Sequence, residues 1–299
     1  MHKGEVPMLS SIINDYIDYM VNEKQLSQNS VNAYVRDVHL FKDYLMGNNI
    51  SSLNEINKTN VITYLVHLQK NGKSASTLSR SLASIRCLFQ YLHNVNLINE
   101  DPTLNLKTLR KEKKTPLVLT IEEIETILSM PDTNNLKGAR DKAILELVYA
   151  TGIKVSEISS INIENIDLVL GTLILGDGES SRIIPIGKKA LSTIDFYLTT
   201  YRTGSDVNEP LFLNYNGCRI TRQGIWKIIK SYSNKAAINK MITPQIIRNT
   251  FAMHLLQNGA DIKTVQELLG NNDISPNIYS DGNDYSKIRA IYNKTHPRA

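Results

Sequence analysis

Four stretches in the first hundred residues repeat apolar side chains at intervals of three and four. Leu9, Ile12, Ile13, Tyr16, Ile17 and Met20 form the first, and Val31, Tyr34, Val35, Val38, Phe41 and Leu45 the second. Val61, Leu65 and Leu68 mark a weaker third; Leu78, Leu82, Ile85, Phe89 and Leu92 mark the fourth. This spacing predicts four amphipathic helices, and four helices with one apolar stripe each bury those stripes together, as a compact unit over residues 1–106. The period stops in KTLRKEKKTP, residues 107–116, which ends in proline and reads as a linker. Over residues 117–299 the pattern is mixed. Thr120 and Glu123 form a capping-box pair that opens a helix reaching Met130, and a helix from Lys137 closes at Gly152. GTLILG (171–176) and RIIPIG (182–187), joined by DGES, read as an antiparallel hairpin. Helices follow over Gly224–Tyr232, Pro244–Asn258, Ile262–Leu269 and Ser286–Lys294. The expected fold is mainly α with a small antiparallel β-sheet, in two domains.

Composition narrows the function classes. Apolar residues make up 41% of the 299 positions and charged residues 21%, as in soluble globular chains. No apolar run approaches the roughly 20 residues that span a bilayer, and MHKGEVPMLS has no apolar core of a signal peptide. Cys87 and Cys218, far apart in sequence, argue against a disulfide framework or a cysteine metal site, so a reducing cytoplasm is the expected compartment. No Walker loop or zinc-finger spacing is present, and no cofactor or metal is expected. The net charge is +5. Asn71–Thr115 alone holds eight lysines and arginines (Lys73, Arg80, Arg86, Lys107, Arg110, Lys111, Lys113, Lys114) against three acids, and so carries as much net charge as the whole chain. A segment of this kind is either a solvated connector or a surface that tracks nucleic-acid phosphates. Arg80 and Arg86 lie off the apolar stripe of the fourth helix, either solvated or facing DNA.

The most informative stretch is TPQIIRNTFAMHLL, residues 243–256. Thr243 suits an N-cap and Pro244 the first helical position, whose N–H is not needed. Gln245 and Arg248 then fall three apart on one face. An arginine there can grip a phosphate, but the amide beside it cannot trade a proton near neutral pH.

Several stretches together resemble the tyrosine recombinase (phage integrase) family of the Xer type. YATGIKVSEI (149–158) is similar to the family signature YATGLRVSEL, and residues 243–280 to its long TPHxLRHTFATHLL…LLGH…IYTH signature. SASTLSRSLASIRCLFQYL and INEDPT resemble the family's core-binding domain, and the closing HPRA the tail of Xer-type recombinases. The resemblance implies a C-shaped, two-domain clamp on double-stranded DNA, with protomers assembled on it. It also implies strand breakage by a tyrosine, without metal or nucleotide, through a 3′-phosphotyrosyl intermediate.

Carried over residue by residue, Tyr279 matches the nucleophile and Arg248 the arginine of the HxxR pair. Four positions depart from the pattern. Lys154 stands for the first arginine, keeping the charge but losing the bidentate fork. Asp177 aligns with the hairpin lysine, Gln245 with the HxxR histidine, and Asn271 with the histidine of LLGH. His254 reads as a packing or backbone-bonding residue rather than a replacement base. Removing one oxyanion donor costs about 10²–10³ in rate and one acid–base group about 10²–10⁴. These losses are not additive, but together they lead us to expect DNA binding with weak or absent cleavage. The alternative is an active recombinase or integrase with a rearranged site; a third reading, a scaffold without DNA binding, conflicts with the basic segment. The C-terminal helix can dock on a neighbouring protomer or on its own domain.

Overall fold

The computed structural model describes residues 12–107, 116–176, 181–270 and 282–299. They fall into two compact units, Met1–Lys114 and Thr115–Ala299, each with a separate apolar core.

The first unit is helical: α1 (Ile13–Asp18) running into a π-type turn at Tyr19–Glu23, α2 (Gln28–Gly47), α3 (Lys58–Lys70) and α4 (Ala75–Asn94). Ser27, Asn57 and Ser74 cap α2, α3 and α4, each accepting from a backbone N–H one turn on. The stripes meet as expected: Tyr16, Val38, Phe41, Val61, Leu82, Ile85 and Phe89 are buried in one cluster. One charge goes in with them. Asp37 on α2 is 2% exposed and is matched by Arg80 and Ser84 of α4.

The second unit is built around α6 (Leu136–Thr151). Its C-terminal half, AILELVYAT, is buried on all sides rather than along one stripe, as expected of a helix at the centre of a domain. α5 (Ile121–Ser129) leads to it behind the Thr120–Glu123 capping box. Gly152, at φ +60°, closes α6 in the left-handed conformation. Then come α7 (Val155–Ser160) and a three-stranded antiparallel sheet in the order β1 (Ile166–Asp167), β2 (Thr172–Leu175), β3 (Arg182–Pro185). β2 pairs with β3 in the register Thr172↔Pro185 to Leu175↔Arg182. Pro185 is tolerated because β3 is an edge strand. α8 (Lys188–Tyr201), α9 (Arg222–Lys235), α10 (Pro244–Gln257), α11 (Ile262–Leu269) and α12 (Gly282–Thr295) complete the unit. α8, α9 and α10 all pack on α6.

The sheet has one strand more than the hairpin the sequence suggested, and α7 and α8 were not anticipated. β1 is too short for a period to show. No helix among the described residues is long and apolar enough to cross a membrane.

The C-terminal tail lies on its own unit. Tyr292 donates to the Ala150 carbonyl at 2.9 Å, and Arg298 reaches Glu146 of α6 at 2.8 Å. Of the two docking modes open to the tail, the chain by itself adopts the one in cis.

Candidate active site

Arg248 stands at the centre of the candidate site. Thr243 caps α10 and Pro244 fills its first turn, which puts residue 248 on the buried side of the helix. The residue is 6% exposed, and its guanidinium spans two helix ends. Nη1 donates to the Gly152 carbonyl at 2.7 Å, at the end of α6; Nη2 donates to the Leu269 carbonyl at 2.6 Å, at the end of α11. Helix C-termini present unsatisfied carbonyls and partial negative charge, a natural seat for a guanidinium. Burial lowers its pKa, Glu157 opposes that shift and Arg182 adds to it; an arginine nonetheless stays charged.

Lys154 is exposed and stands as N-cap of α7. Its backbone N–H donates to Glu157 Oε2 at 2.6 Å. The other oxygen of Glu157 accepts from Arg182 Nη2 at 2.8 Å. Arg182 is the first residue of β3. Its guanidinium lies against Gly270, φ +61°, where a Cβ would come within 2.6 Å of its Cζ and Nη1. Arg182 and Arg248 therefore meet at the end of α11, with Glu157 and the backbone of Lys154 beside them.

Sequence reading missed Arg182 and Glu157. The only signal was position: an arginine immediately after the hairpin turn, and a glutamate three residues after Lys154 on a helix too short to show a period.

Gln245, one turn before Arg248, is exposed, and its amide donates to Asn249 Oδ1 at 2.9 Å. His254 is buried elsewhere on α10, bonded between the Tyr149 hydroxyl at 2.8 Å and the Leu119 carbonyl at 3.0 Å. Burial lowers its pKa. This is the packing and backbone-bonding role expected of it. Tyr285, on α12, has a buried hydroxyl without a partner among the described residues, and burial raises its pKa. Asp177, Asn271 and Tyr279 lie outside the described residues, so their placement at this site rests on the sequence alone.

The candidate DNA-facing residues divide. Arg110, Lys111, Lys113 and Lys114 lie outside the described residues. Lys107 is exposed. Arg80 makes a two-pronged pair with Asp37, both bonds at 2.9 Å, while 43% of its side chain remains exposed. Arg86 donates to the Leu106 carbonyl at 2.6 Å and so holds the stretch that leads into Lys107. Among the described residues no His, Cys, Asp and Glu cluster could hold a metal ion.

Comparison with known proteins fits this arrangement. The phage integrase family profile matches residues 118–284, and the profile of the phage integrase N-terminal SAM-like domain matches residues 13–95. A lambda integrase tetramer bound to a Holliday junction superposes with a TM-score of 0.70 at 15% identity, over 91% of this chain and 82% of that one. The Tn1549 transposon integrase in complex with circular intermediate DNA gives 0.69 at 17% identity, over 88% and 92%. At these identities the likeness defines the fold, an integrase fold. Tyrosine recombinase XerD of Staphylococcus epidermidis is 40% identical over 295 residues, 97% of this chain and the whole of the relative. The chain belongs to the tyrosine recombinase (phage integrase) family and is of the Xer type.

Proposed function

We propose that this protein binds duplex DNA, seats a backbone phosphate at Arg248, and cleaves strands weakly or not at all when acting alone. The carrying observation is the contrast on α10. Arg248 is buried and held between two helix ends before any ligand arrives. Gln245, one turn earlier, is an exposed amide tied to Asn249. The grip for a phosphodiester is preorganised, while the proton-transfer group beside it is replaced by one that cannot titrate. Tyr279 is the residue positioned by its motif to attack. With Asp177 for the hairpin lysine and Asn271 for the second histidine, neither leaving-group protonation nor proton shuttling has its usual agent.

The helical unit and the basic stretch around Lys107, Arg110, Lys111, Lys113 and Lys114 supply further phosphate contacts in this reading. Arg86 orients that stretch through Leu106, and the exposed part of Arg80 adds charge. Relatives are described bound to DNA as a dimer or a tetramer, and assembly on DNA, with its own copies or with a competent recombinase, follows from the same reading.

The test is a suicide duplex carrying the native target, incubated with the purified protein and with Tyr279→Phe. The expected result is duplex binding with little or no covalent complex. A strong adduct that vanishes in Tyr279→Phe establishes the alternative, an active recombinase with a rearranged site.

A further inference from the structure

We infer that Arg182 is the second guanidinium of the phosphate seat and grips the same phosphodiester as Arg248. This rests on the reading that the chain binds DNA through this site. Position 154 offers only a lysine, a point charge without a fork. Arg182 arrives from the start of β3 and lies over the end of α11 because residue 270 is a glycine. The carbonyl just before that glycine, Leu269, is the one that holds Arg248. The two guanidiniums thus flank one helix end, and the Arg182 charge is felt at Arg248.

Two features call for an anion between them. The Arg182 Nε is buried and has no hydrogen-bond acceptor among the described residues. A buried N–H without an acceptor is costly, and a phosphate oxygen would supply one. Arg182, Arg248 and Glu157 leave one net positive charge and Lys154, beside Glu157, adds another, so the seat is cationic and suits the negative charge of a phosphodiester. Glu157 keeps Arg182 aimed by holding Nη2 at 2.8 Å, and paired planar forks suit the two non-bridging oxygens.

The experiment is binding of the full chain to a short mixed-sequence duplex across a range of salt. Arg182→Gln should flatten the slope of log Kobs against log salt by about 0.9, the value for one phosphate contact on B-DNA. Arg182→Lys should keep the slope. An unchanged slope in Arg182→Gln means that Arg182 only braces Glu157, and sinks the inference while leaving DNA binding intact. Failure of the wild-type chain to bind at any salt removes the DNA-binding reading and this inference with it. If Arg182→Gln does not fold, the wild-type Nε–H resonance, assigned by its loss in Arg182→Lys, decides instead. It shifts on titration with duplex if Arg182 meets phosphate, and stays in place if it does not.

Discussion

Arg298, the penultimate residue, donates to Oε1 of Glu146 across 152 positions of sequence, at 2.8 Å. Glu146 is 1% exposed on the central helix, and Lys142 is its other cation, at 3.1 Å. The tail therefore helps to neutralise a carboxylate in the middle of the domain. Removing one partner of a buried pair leaves uncompensated charge, which costs about 3–5 kcal/mol when nothing replaces it. With Lys142 remaining, Arg298→Ala should destabilise by roughly 1–3 kcal/mol. Urea unfolding measures this, and an unchanged midpoint would mean that the tail adds nothing to the fold.

His296 gives the tail a pH dependence. It stacks on Tyr292 with ring centroids 4.9 Å apart, accepts from the Arg298 N–H at 3.1 Å and donates Nε2–H to the Tyr149 carbonyl at 3.3 Å. Burial, with His254 and Arg298 adding to it, pushes its pKa down to about 4. The folded state thus favours the neutral ring. Above the unfolded value of about 6.5 the contribution is complete. It is lost as pH falls from there to about 4, by roughly 3 kcal/mol. His254, also depressed by burial, acts in the same direction. Tm measured between pH 7 and 4 should fall less steeply in His296→Gln than in the wild type, and equal slopes would contradict the assignment.

Two left-handed glycines should respond differently to alanine. At Gly152 an added Cβ would run into the buried Phe251 ring; at Gly270 it would meet the end of the Arg182 side chain at 2.6 Å. Phe251 has nowhere to go, whereas Arg182 can swing away. Gly270→Ala should cost about 1–2 kcal/mol, the backbone penalty plus whatever is lost when Arg182 moves off Glu157. Gly152→Ala adds overpacking, for about 2–4 kcal/mol in total. Thermal melts of the two variants compare them directly, and equal losses would refute the distinction. Gly270→Ala should also weaken duplex binding by displacing Arg182.

Arg80 can be separated from its stability role. Arg80→Ala strands Asp37, which is 2% exposed, and should cost roughly 2–4 kcal/mol. Replacing both, as Arg80→Leu with Asp37→Leu, should recover most of that loss because apolar pairs substitute well for buried ion pairs. Salt-dependent duplex binding by the double variant then shows what Arg80 adds. A flatter slope confirms a phosphate contact, and an unchanged slope leaves Arg80 purely structural.

Most of the helical architecture was legible because each helix buries a stripe and the 3.6-residue period survives in the sequence. Thr120 with Glu123, and Thr243 with Pro244, even marked two starts to the residue. α8 carries the period only in Ala190, Ile194 and Tyr197, three positions that do not stand out among polar neighbours. β1 was invisible at two residues. The site was half legible. Arg248 and Gln245 announce themselves by spacing on one helix, but the Arg182–Glu157 pair joins a strand to a helix 25 residues away, and no local period encodes such a meeting. Arg80 and Arg86 looked alike in sequence; only the structure gives one a carboxylate and the other a carbonyl.

Arg248 spans the ends of α6 and α11. Mutating it would strip two buried carbonyls of their donor, so folding selects for arginine at this position independently of chemistry. Gln245 sits on the exposed face, bonded among the described residues to Asn249, and its side chain supports no buried group there. A lineage that ceased cutting DNA would hold the first residue fixed and let the second drift. Arg248 is thus part of the architecture as much as a tool of the reaction, and an arginine at this place in a relative testifies to the fold before it testifies to activity.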